Sequence, residues 1–226
     1  MAKFMDSVEE ALSDTPDGST ILIGGFGSAG QPVELIDALI DSGACDLTVV
    51  NNNAGNGDVG LARLIKLGRV RKIICSFPRQ SDSWHFDEKY RRGEIELEVV
   101  PQGNLAERIR AAGAGIGAFY THTGYGTLLA EGKETRTING RPYILEYPIF
   151  GDIALIKAQA SDRLGNLQYR KTARNFGPIM ATAAKRTIVQ VSHIVQTGQI
   201  DPENVITPCI YVDTVVKVDS PNGAQS

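Results

Sequence analysis

The chain has 226 residues and a formal net charge of −3 at pH 7. Its glycine share, 24 of 226 residues, is well above the usual value of about 7%. This length favours one large domain over two, and the slight negative charge gives no reason to expect nucleic acid or an anionic membrane as a partner. No apolar run approaches the roughly 20 residues that span a bilayer, and 3 cysteines without a CxxC pair argue against a disulfide framework or a zinc ribbon.

Strands and helices alternate through the first half of the sequence. Short apolar runs predict buried strands at 21–23, 47–50 and 72–75. At 95–99 apolar and polar residues alternate, which predicts a strand with one face exposed to solvent. Apolar residues at helical spacing predict helices at 32–42, around 61–65, at 84–92 and at 105–112. Pro32 suits a first helical turn, and Gly43 suits the position after a helix end. The alternation is typical of a largely parallel sheet between helices.

The second half is richer in strands. We predict a hairpin turn at 162–166, a helix near 179–185, and strands at 143–145, 153–157, 167–169, 187–191 and 210–218. The expected fold is therefore α/β, with a largely parallel sheet, flanking helices and an antiparallel, β-rich C-terminal portion. We expect one domain over 1–219 and a flexible tail at 220–226. The acidic segment 1–20 lacks the apolar run of a secretory signal, which favours a cytoplasmic protein.

A glycine-rich loop between the first buried strand and the helix at Pro32 is the strongest local signal. Glycine lets the backbone turn sharply and approach a ligand closely, and N–H groups at a helix start favour anions. We predict that this loop binds a cofactor or another anion, and the alternative is a tight turn without a ligand. Its GxGxxG spacing does not indicate a dinucleotide, because amides at 51–53 replace the acidic residue that holds a ribose hydroxyl. The loop consists of Gly24, Gly25, Phe26, Gly27, Ser28, Ala29 and Gly30.

Neutral amides follow two other strands at the same predicted sheet edge. Asn52 and Asn53 follow the strand at 47–50, and Gln102 follows the strand at 95–99. Amide N–H groups stabilise the oxyanion of an acyl transfer, and ligands collect at the carboxyl ends of parallel strands; a loop selected only for its turn geometry is the alternative. The sequence contains no GxSxG elbow, no phosphate loop and no histidines at metal spacing. It therefore predicts oxyanion-stabilising groups without a nucleophile and without a metal site.

Five motifs extend over nearly the whole chain: DGSTILIGGFG at 17–27, NNAG at 52–55, PQGNLAERIR at 101–110, TGYGT at 123–127 and KTARNF at 171–176. Together they resemble the A (alpha) subunit of family I CoA-transferases. The resemblance implies a fold of the NagB type, a loop at 24–30 that binds CoA, and a site lined by Asn52, Asn53 and Gln102. It also implies that a separate B subunit supplies the nucleophilic glutamate in an A2B2 assembly. Succinyl-CoA is then a substrate, and no cofactor is tightly bound.

Two further motifs, CSFPRQSDS at 75–83 and NFGPIM at 175–180, resemble the subfamily that transfers CoA to 3-oxoadipate in aromatic catabolism, with acetoacetate as the alternative acceptor. Because succinate and 3-oxoadipate are both dicarboxylates, we predict that Arg79 binds the distal carboxylate; an ordinary surface arginine is the alternative. His122 stands where relatives tend to have proline, so its role stays open. A sugar-phosphate-binding module or an isomerase on a similar scaffold, and third a Rossmann dehydrogenase, are the candidates from other classes.

Overall fold

The computed structural model describes residues 2–218, so the predicted tail at 220–226 lies outside the described residues. The strands in this range are β1 (Lys3–Met5), β2 (Thr20–Ile23), β3 (Leu47–Val50), β4 (Val70–Cys75), β5 (Glu96–Val99), β6 (Phe119–Thr121), β7 (Thr135–Ile138), β8 (Arg141–Glu146), β9 (Gly151–Asp162), β10 (Leu167–Gln168), β11 (Ala184–Val195) and β12 (Thr214–Lys217). The α-helices are α1 (Val8–Leu12), α2 (Val33–Asp41), α3 (Gly60–Lys66), α4 (Trp84–Arg91), α5 (Gln102–Gly113) and α6 (Gly177–Ala183). None of these helices is long and apolar enough to cross a bilayer.

Nine strands form one sheet in the order β1-β12-β11-β9-β2-β3-β4-β5, with β10 paired to β9. Every neighbouring pair along that order is parallel, so the predicted α/β fold class is confirmed. Antiparallel pairs occur between β10 and β9 and in a separate sheet, β6-β8-β7. The antiparallel part thus lies earlier in the chain than expected. The later strands β9, β11 and β12 pair in parallel because crossover connections, the first of which carries α6, separate them.

Several elements differ from the sequence-based prediction. The predicted strand at 210–218 is wrong at its start, because Cys209–Tyr211 forms a 3-10 turn and only Thr214–Lys217 pairs in the sheet. Strands β1, β6 and β7 and helix α1 were not predicted, since segments of three to five residues are too short to show a period. The cap of α1 is nevertheless typical, because the Ser7 hydroxyl accepts a hydrogen bond from the N–H of Glu10 at 3.2 Å.

Two apolar layers enclose the large sheet. Side chains alternate along β2, so Ile21 and Ile23 face one layer and Leu22 faces the other. The first layer includes buried side chains of α1 to α4, among them Leu12, Leu35, Leu39, Leu61, Leu64 and Phe86. The second layer includes Leu105, Ile109 and Met180 of α5 and α6. Burying one such side chain stabilises the fold by about 1.5–3 kcal/mol, and together they hold the strand ends in place.

The separate sheet β6-β8-β7 is fastened to the start of α5 by a buried ion-pair cluster. Glu146 at the end of β8 is only 2% exposed. Its Oε1 accepts hydrogen bonds from Lys133 Nζ at 2.7 Å and from Asn104 Nδ2 at 3.3 Å. Arg108 Nε lies 3.7 Å from Glu146 Oε2. Because Asn104 belongs to the first turn of α5, the cluster fixes the position of that turn.

Glu98 on β5 continues this cluster toward the large sheet. Its Oε1 lies 2.8 Å from a guanidinium nitrogen of Arg108, and its Oε2 lies 2.6 Å from Lys72 Nζ. Partial burial raises the pKa of the Glu98 carboxyl, but the hydrogen bonds from Lys72 and Arg108 outweigh burial and hold that pKa below its usual value. The carboxylate is therefore charged in the folded protein.

Candidate functional site

The carboxyl ends of β2, β3 and β4 and the start of α5 surround one cleft. Its volume is about 380 Å³, and it is lined by six uncharged side chains: Phe26, Asn52, Ser76, Phe77, Gln80 and Gln102. Three of the six carry primary amides, which are neutral hydrogen-bond donors. The structure therefore brings the predicted glycine loop, through Phe26, to two of the three predicted amides, Asn52 and Gln102.

Asn52 is the centre of the hydrogen bonding in this cleft. Its Oδ1 accepts hydrogen bonds from Gln102 Nε2 at 2.7 Å and from Ser76 Oγ at 2.9 Å. Its backbone carbonyl accepts from the N–H groups of Ser76 and Phe77, at 3.2 and 3.1 Å. Because the two lone-pair positions of Oδ1 are both occupied, Nδ2 is the part of the Asn52 amide that remains to serve as a donor for a ligand.

Asn51 and Asn53 fasten the same loop from inside. Asn51 Nδ2 donates to the carbonyl of Ile23 at 2.7 Å, and Asn51 Oδ1 accepts from the N–H of Asn53 at 2.9 Å. Asn53 Oδ1 accepts from the N–H of Gly55 at 2.8 Å. Asn53 is 1% exposed and does not line the cleft, and within residues 2–218 its Nδ2 has no hydrogen-bond partner. Its role as an oxyanion donor stays a prediction, which this unpaired buried donor keeps open.

The backbone of the glycine-rich loop adopts conformations that favour glycine. Gly25, Gly27 and Gly30 have φ angles of 126°, 60° and 73°, in the region that side chains other than glycine rarely occupy. At Gly30 a Cβ atom would also lie 2.5 Å from the carbonyl oxygen of Ala173. The loop therefore packs directly against the 3-10 turn Lys171–Arg174, and glycine is needed at the contact.

Asn175 fastens the loop to this turn through both the oxygen and the nitrogen of its side-chain amide. Its Oδ1 accepts hydrogen bonds from the N–H groups of Gly25 at 3.1 Å and Phe176 at 2.7 Å. Its Nδ2 donates to the carbonyls of Ala29 at 3.0 Å and Thr172 at 2.7 Å. Sequence reasoning did not select Asn175 as a site residue, although the KTARNF motif that contains it was the available signal.

Some of the N–H groups at the loop and at the helix start after it are hydrogen-bonded within the protein, and the predicted anion or cofactor role of the loop stays a prediction. The N–H of Leu35, in the first turn of α2, donates to Oε1 of the buried Gln190 at 3.2 Å. Within the loop, Phe26 and Ala29 exchange backbone hydrogen bonds at 3.0 and 3.2 Å, and the N–H of Gly24 donates to Leu155 at 2.9 Å. Since the protein's own acceptors occupy these four donors, a ligand would have to use other N–H groups of the loop.

A second cleft borders the loop and shares Phe26 with the first. Its volume is about 510 Å³, and it is lined by Phe26, Ala29, Thr172, Arg174 and Asn175. Phe26 is 50% exposed, and among the described residues Arg174 is the charged side chain of this lining. The two clefts together offer neutral donors at one end and a cation at the other.

Arg79 and His122 lie outside both clefts. Arg79 Nε donates to Asp87 Oδ1 in the first turn of α4 at 2.6 Å, in an exposed ion pair. His122 Nδ1 lies 2.8 Å from the carbonyl of Pro142, and its ring packs near Tyr125 and Tyr143. The carboxylate-binding role of Arg79 therefore stays a prediction, and nothing in the structure gives His122 a role in the cleft.

The cleft has no nucleophile with a base beside it. Carboxylates, histidines and cysteines are absent from its lining as far as the described chain extends. Cys75, the last residue of β4, is buried, and burial raises the pKa of its thiol to about 12, so the thiol is protonated and unreactive at neutral pH. Between residues 2 and 218 no group of His, Cys, Asp or Glu side chains could hold a metal ion. The site can polarise a carbonyl group, but a covalent reaction needs a nucleophile from elsewhere.

Known sequences match almost the whole chain. Residues 5–218 match the family model described as Coenzyme A transferase. The chain is 65% identical over 216 residues to the A subunit of 3-oxoadipate CoA-transferase from Pseudomonas putida, which covers 96% of this chain and 94% of that protein. It is 49% identical over 217 residues to the A subunit of succinyl-CoA:3-ketoacid coenzyme A transferase from Helicobacter pylori, covering 96% and 93%.

Two solved structures share the fold. An acyl-CoA transferase from E. coli O157:H7, in a thioester complex with CoA, superposes with a TM-score of 0.85 at 22% identity, over 99% of this chain and 48% of that one. Glutaconate coenzyme A-transferase from Acidaminococcus fermentans superposes with a TM-score of 0.84 at 22% identity, over 96% and 76% of the two chains. This chain thus spans about half of the first structure. At such identities the match concerns the fold alone.

Proposed function

The chain belongs to the coenzyme A transferase family, and from this membership we propose that it is the A subunit of an enzyme that moves CoA from succinyl-CoA to 3-oxoadipate. The Pseudomonas putida relative, 65% identical over 96% of this chain, supports the choice of 3-oxoadipate. This subunit supplies oxyanion stabilisation and part of the CoA site. A separate B subunit supplies the nucleophilic glutamate, in an A2B2 assembly without a tightly bound cofactor.

One observation carries the proposal: among the described residues, the lining of a cleft at the carboxyl edge of the sheet has neutral amide donors but neither an acid nor a base. A complete acyl-transfer enzyme needs a nucleophile in addition to its oxyanion donors. A subunit with only the donors fits a split active site, in which the missing carboxylate enters from the partner.

In the proposed reaction the partner's glutamate attacks the carbonyl carbon of succinyl-CoA and displaces the CoA thiolate, which leaves an acyl anhydride. The thiolate attacks the glutamyl carbonyl and expels succinate, so that CoA is held as an enzyme thioester. The same two steps in reverse, with 3-oxoadipate as the carboxylate, deliver CoA to the acceptor. Each attack places negative charge on a carbonyl oxygen, where one preorganised donor such as Asn52 Nδ2 lowers the barrier by about 3 kcal/mol.

We assign the loop at 24–30 to CoA binding. Phe26 borders both clefts, so a long ligand whose thioester lies near Asn52 can pass along this ring toward Arg174, where a cation favours phosphate. Asn53 and Arg79 are kept as proposed site residues. Among the described residues, Asn53 Nδ2 is a buried donor without a hydrogen-bond partner, and Arg79 can bind a distal carboxylate only by leaving its ion pair with Asp87.

Co-expression of this chain with its candidate B subunit tests the proposal. The purified complex should transfer CoA from succinyl-CoA to 3-oxoadipate, whereas neither subunit should be active by itself. Acetoacetate is assayed in parallel, because the name of the Helicobacter pylori relative specifies a 3-ketoacid. A preference for acetoacetate would change the proposed acceptor but not the proposal that the active site is split between two subunits. Activity of this chain without its partner contradicts the proposal. Mass measurement of the complex and cell fractionation test the A2B2 stoichiometry and the proposed cytoplasmic location.

A further inference from the structure

We propose that Ser76 is a positioning residue that holds the amide plane of Asn52 in the orientation that presents Nδ2 to the reacting carbonyl. The inference rests on the proposed function of the cleft. It assigns to the residue after β4 a role that the motifs and the amide pattern did not indicate, since serine at a strand end has no characteristic spacing.

The sheet places Ser76 beside Asn52. Strands β3 and β4 are parallel, and Val50 is paired with Ile74, so the residues two positions further along each strand are also neighbours. The N–H of Ser76 donates to the backbone carbonyl of Asn52 at 3.2 Å. Its Oγ lies 2.9 Å from Asn52 Oδ1 and 3.1 Å from the Asn52 backbone oxygen. The hydroxyl is therefore held between the two carbonyl oxygens of one residue by a rigid strand end.

The second partner of the amide is less rigid. Gln102 is exposed, and its side chain reaches Asn52 Oδ1 from the start of α5. The last torsion of an asparagine or glutamine side chain is broad, so an amide pair alone can turn together and keep its hydrogen bond. Ser76 supplies the contact from the fixed sheet, and without it the direction of Asn52 Nδ2 depends on the exposed side chain of Gln102 alone. Loss of preorganisation lowers the stabilisation of a developing oxyanion more than the binding of the ground state.

The test uses the purified complex with its B subunit. Ser76→Ala should lower kcat about tenfold, the effect of one hydrogen bond of ordinary strength, while KM for succinyl-CoA changes by less than about twofold. Ser76→Thr, which keeps the hydroxyl, should restore most of kcat. In an Asn52→Ala background, Ser76→Ala should have no further effect, because a positioning residue acts only through the group that it positions.

Ser83 provides the matched control. Its Oγ donates to the carbonyl of Gly55 at 2.9 Å and accepts from the N–H of Gln80 at 3.1 Å, so it joins the same two loops without touching Asn52. Ser83→Ala should lower the melting temperature of the complex and leave kcat within about twofold. The inference is overturned if Asn52→Ala lowers kcat but Ser76→Ala affects kcat no more than Ser83→Ala does, or if Ser76→Ala adds its full loss to Asn52→Ala. If Asn52→Ala leaves kcat unchanged, the proposed function of the cleft fails as well.

Discussion

Replacing Asn175 by alanine tests whether this side chain holds the glycine-rich loop. The substitution removes four hydrogen bonds, of which those to Gly25 and Ala29 reach the loop and those to Phe176 and Thr172 are local. A typical hydrogen bond contributes about 1 kcal/mol net, and Asn175 is only partly buried. We therefore expect the free energy of unfolding to fall by about 2–3 kcal/mol, and KM for succinyl-CoA to rise because the loop loses its fixed shape.

Denaturant unfolding of the subunit measures the first effect, and steady-state kinetics of the complex measure the second. Asn204→Ala is the matched control, because Asn204 is an exposed asparagine in the 3-10 turn Pro202–Asn204; it should change stability by no more than about 0.5 kcal/mol. Asn175→Asp adds a sharper comparison. This variant keeps an oxygen that accepts from Gly25 and Phe176, but it replaces the donor Nδ2 by a carboxylate oxygen that faces the carbonyls of Ala29 and Thr172. Because two acceptors then repel each other, the free energy of unfolding should be no higher than that of the alanine variant. A loss for Asn175→Ala that matches the control would refute the reasoning.

Three further predictions concern the loop backbone, the ion pairs and the acceptor contact. Gly30→Ala should lower the free energy of unfolding by about 1–2 kcal/mol for the left-handed backbone, and by a further amount because its Cβ would clash with Ala173. Gly27→Ala is the control for the backbone cost in the same unfolding assay, because Gly27 also has a positive φ but open space at Cβ. Because the pKa of Glu98 is lowered in the folded protein, its ion pairs stabilise the fold fully at pH values above the pKa that Glu98 has in the unfolded chain. This stabilisation is lost as the pH falls through the pKa of Glu98 in the folded protein. Glu98→Gln should therefore make the free energy of unfolding depend less on pH in the acid range, and an unchanged pH dependence would contradict this. Arg79→Ala should raise KM for the dicarboxylate acceptor far more than KM for the CoA thioester, and an equal change in both would exclude the proposed contact.

Periodicity was sufficient for the first half of the fold. Between β2 and α5, each predicted strand and helix has a counterpart, since most are four residues or longer and bury one face or both. The pairing of later strands was not predictable in this way. Hydrophobic period shows that a segment is a strand but does not show its neighbour, so the parallel placement of β11 and β12 depended on crossovers that the sequence pattern does not display.

The site was predictable only where residue type and strand end coincide. Asn52 and Gln102 were selected for that reason, and the structure joins them by a direct hydrogen bond. Ser76 and Asn175 were missed because their contacts are made by the tertiary fold, across 24 and 150 residues of chain. Arg79 shows the converse. Its position in a loop after a strand suggested a ligand site, but its guanidinium pairs with the carboxylate of Asp87, eight residues away, and the sequence analysis did not consider this local partner.

The strand order has a consequence for the order of events during synthesis. Strands β2 to β5 pair in sequence with their successors, so this half of the sheet can assemble while the rest of the chain is still being made. Strand β1 pairs with β12, where Lys3 lies opposite Thr214, and β2 needs β9 on its other side. Strand β1, the earliest of the described strands to be synthesised, must therefore wait for β12, the latest of them. A nascent chain halted after α5 would hold three adjacent strand ends of the cleft, yet expose the edge of β2 as a site for wrong pairing.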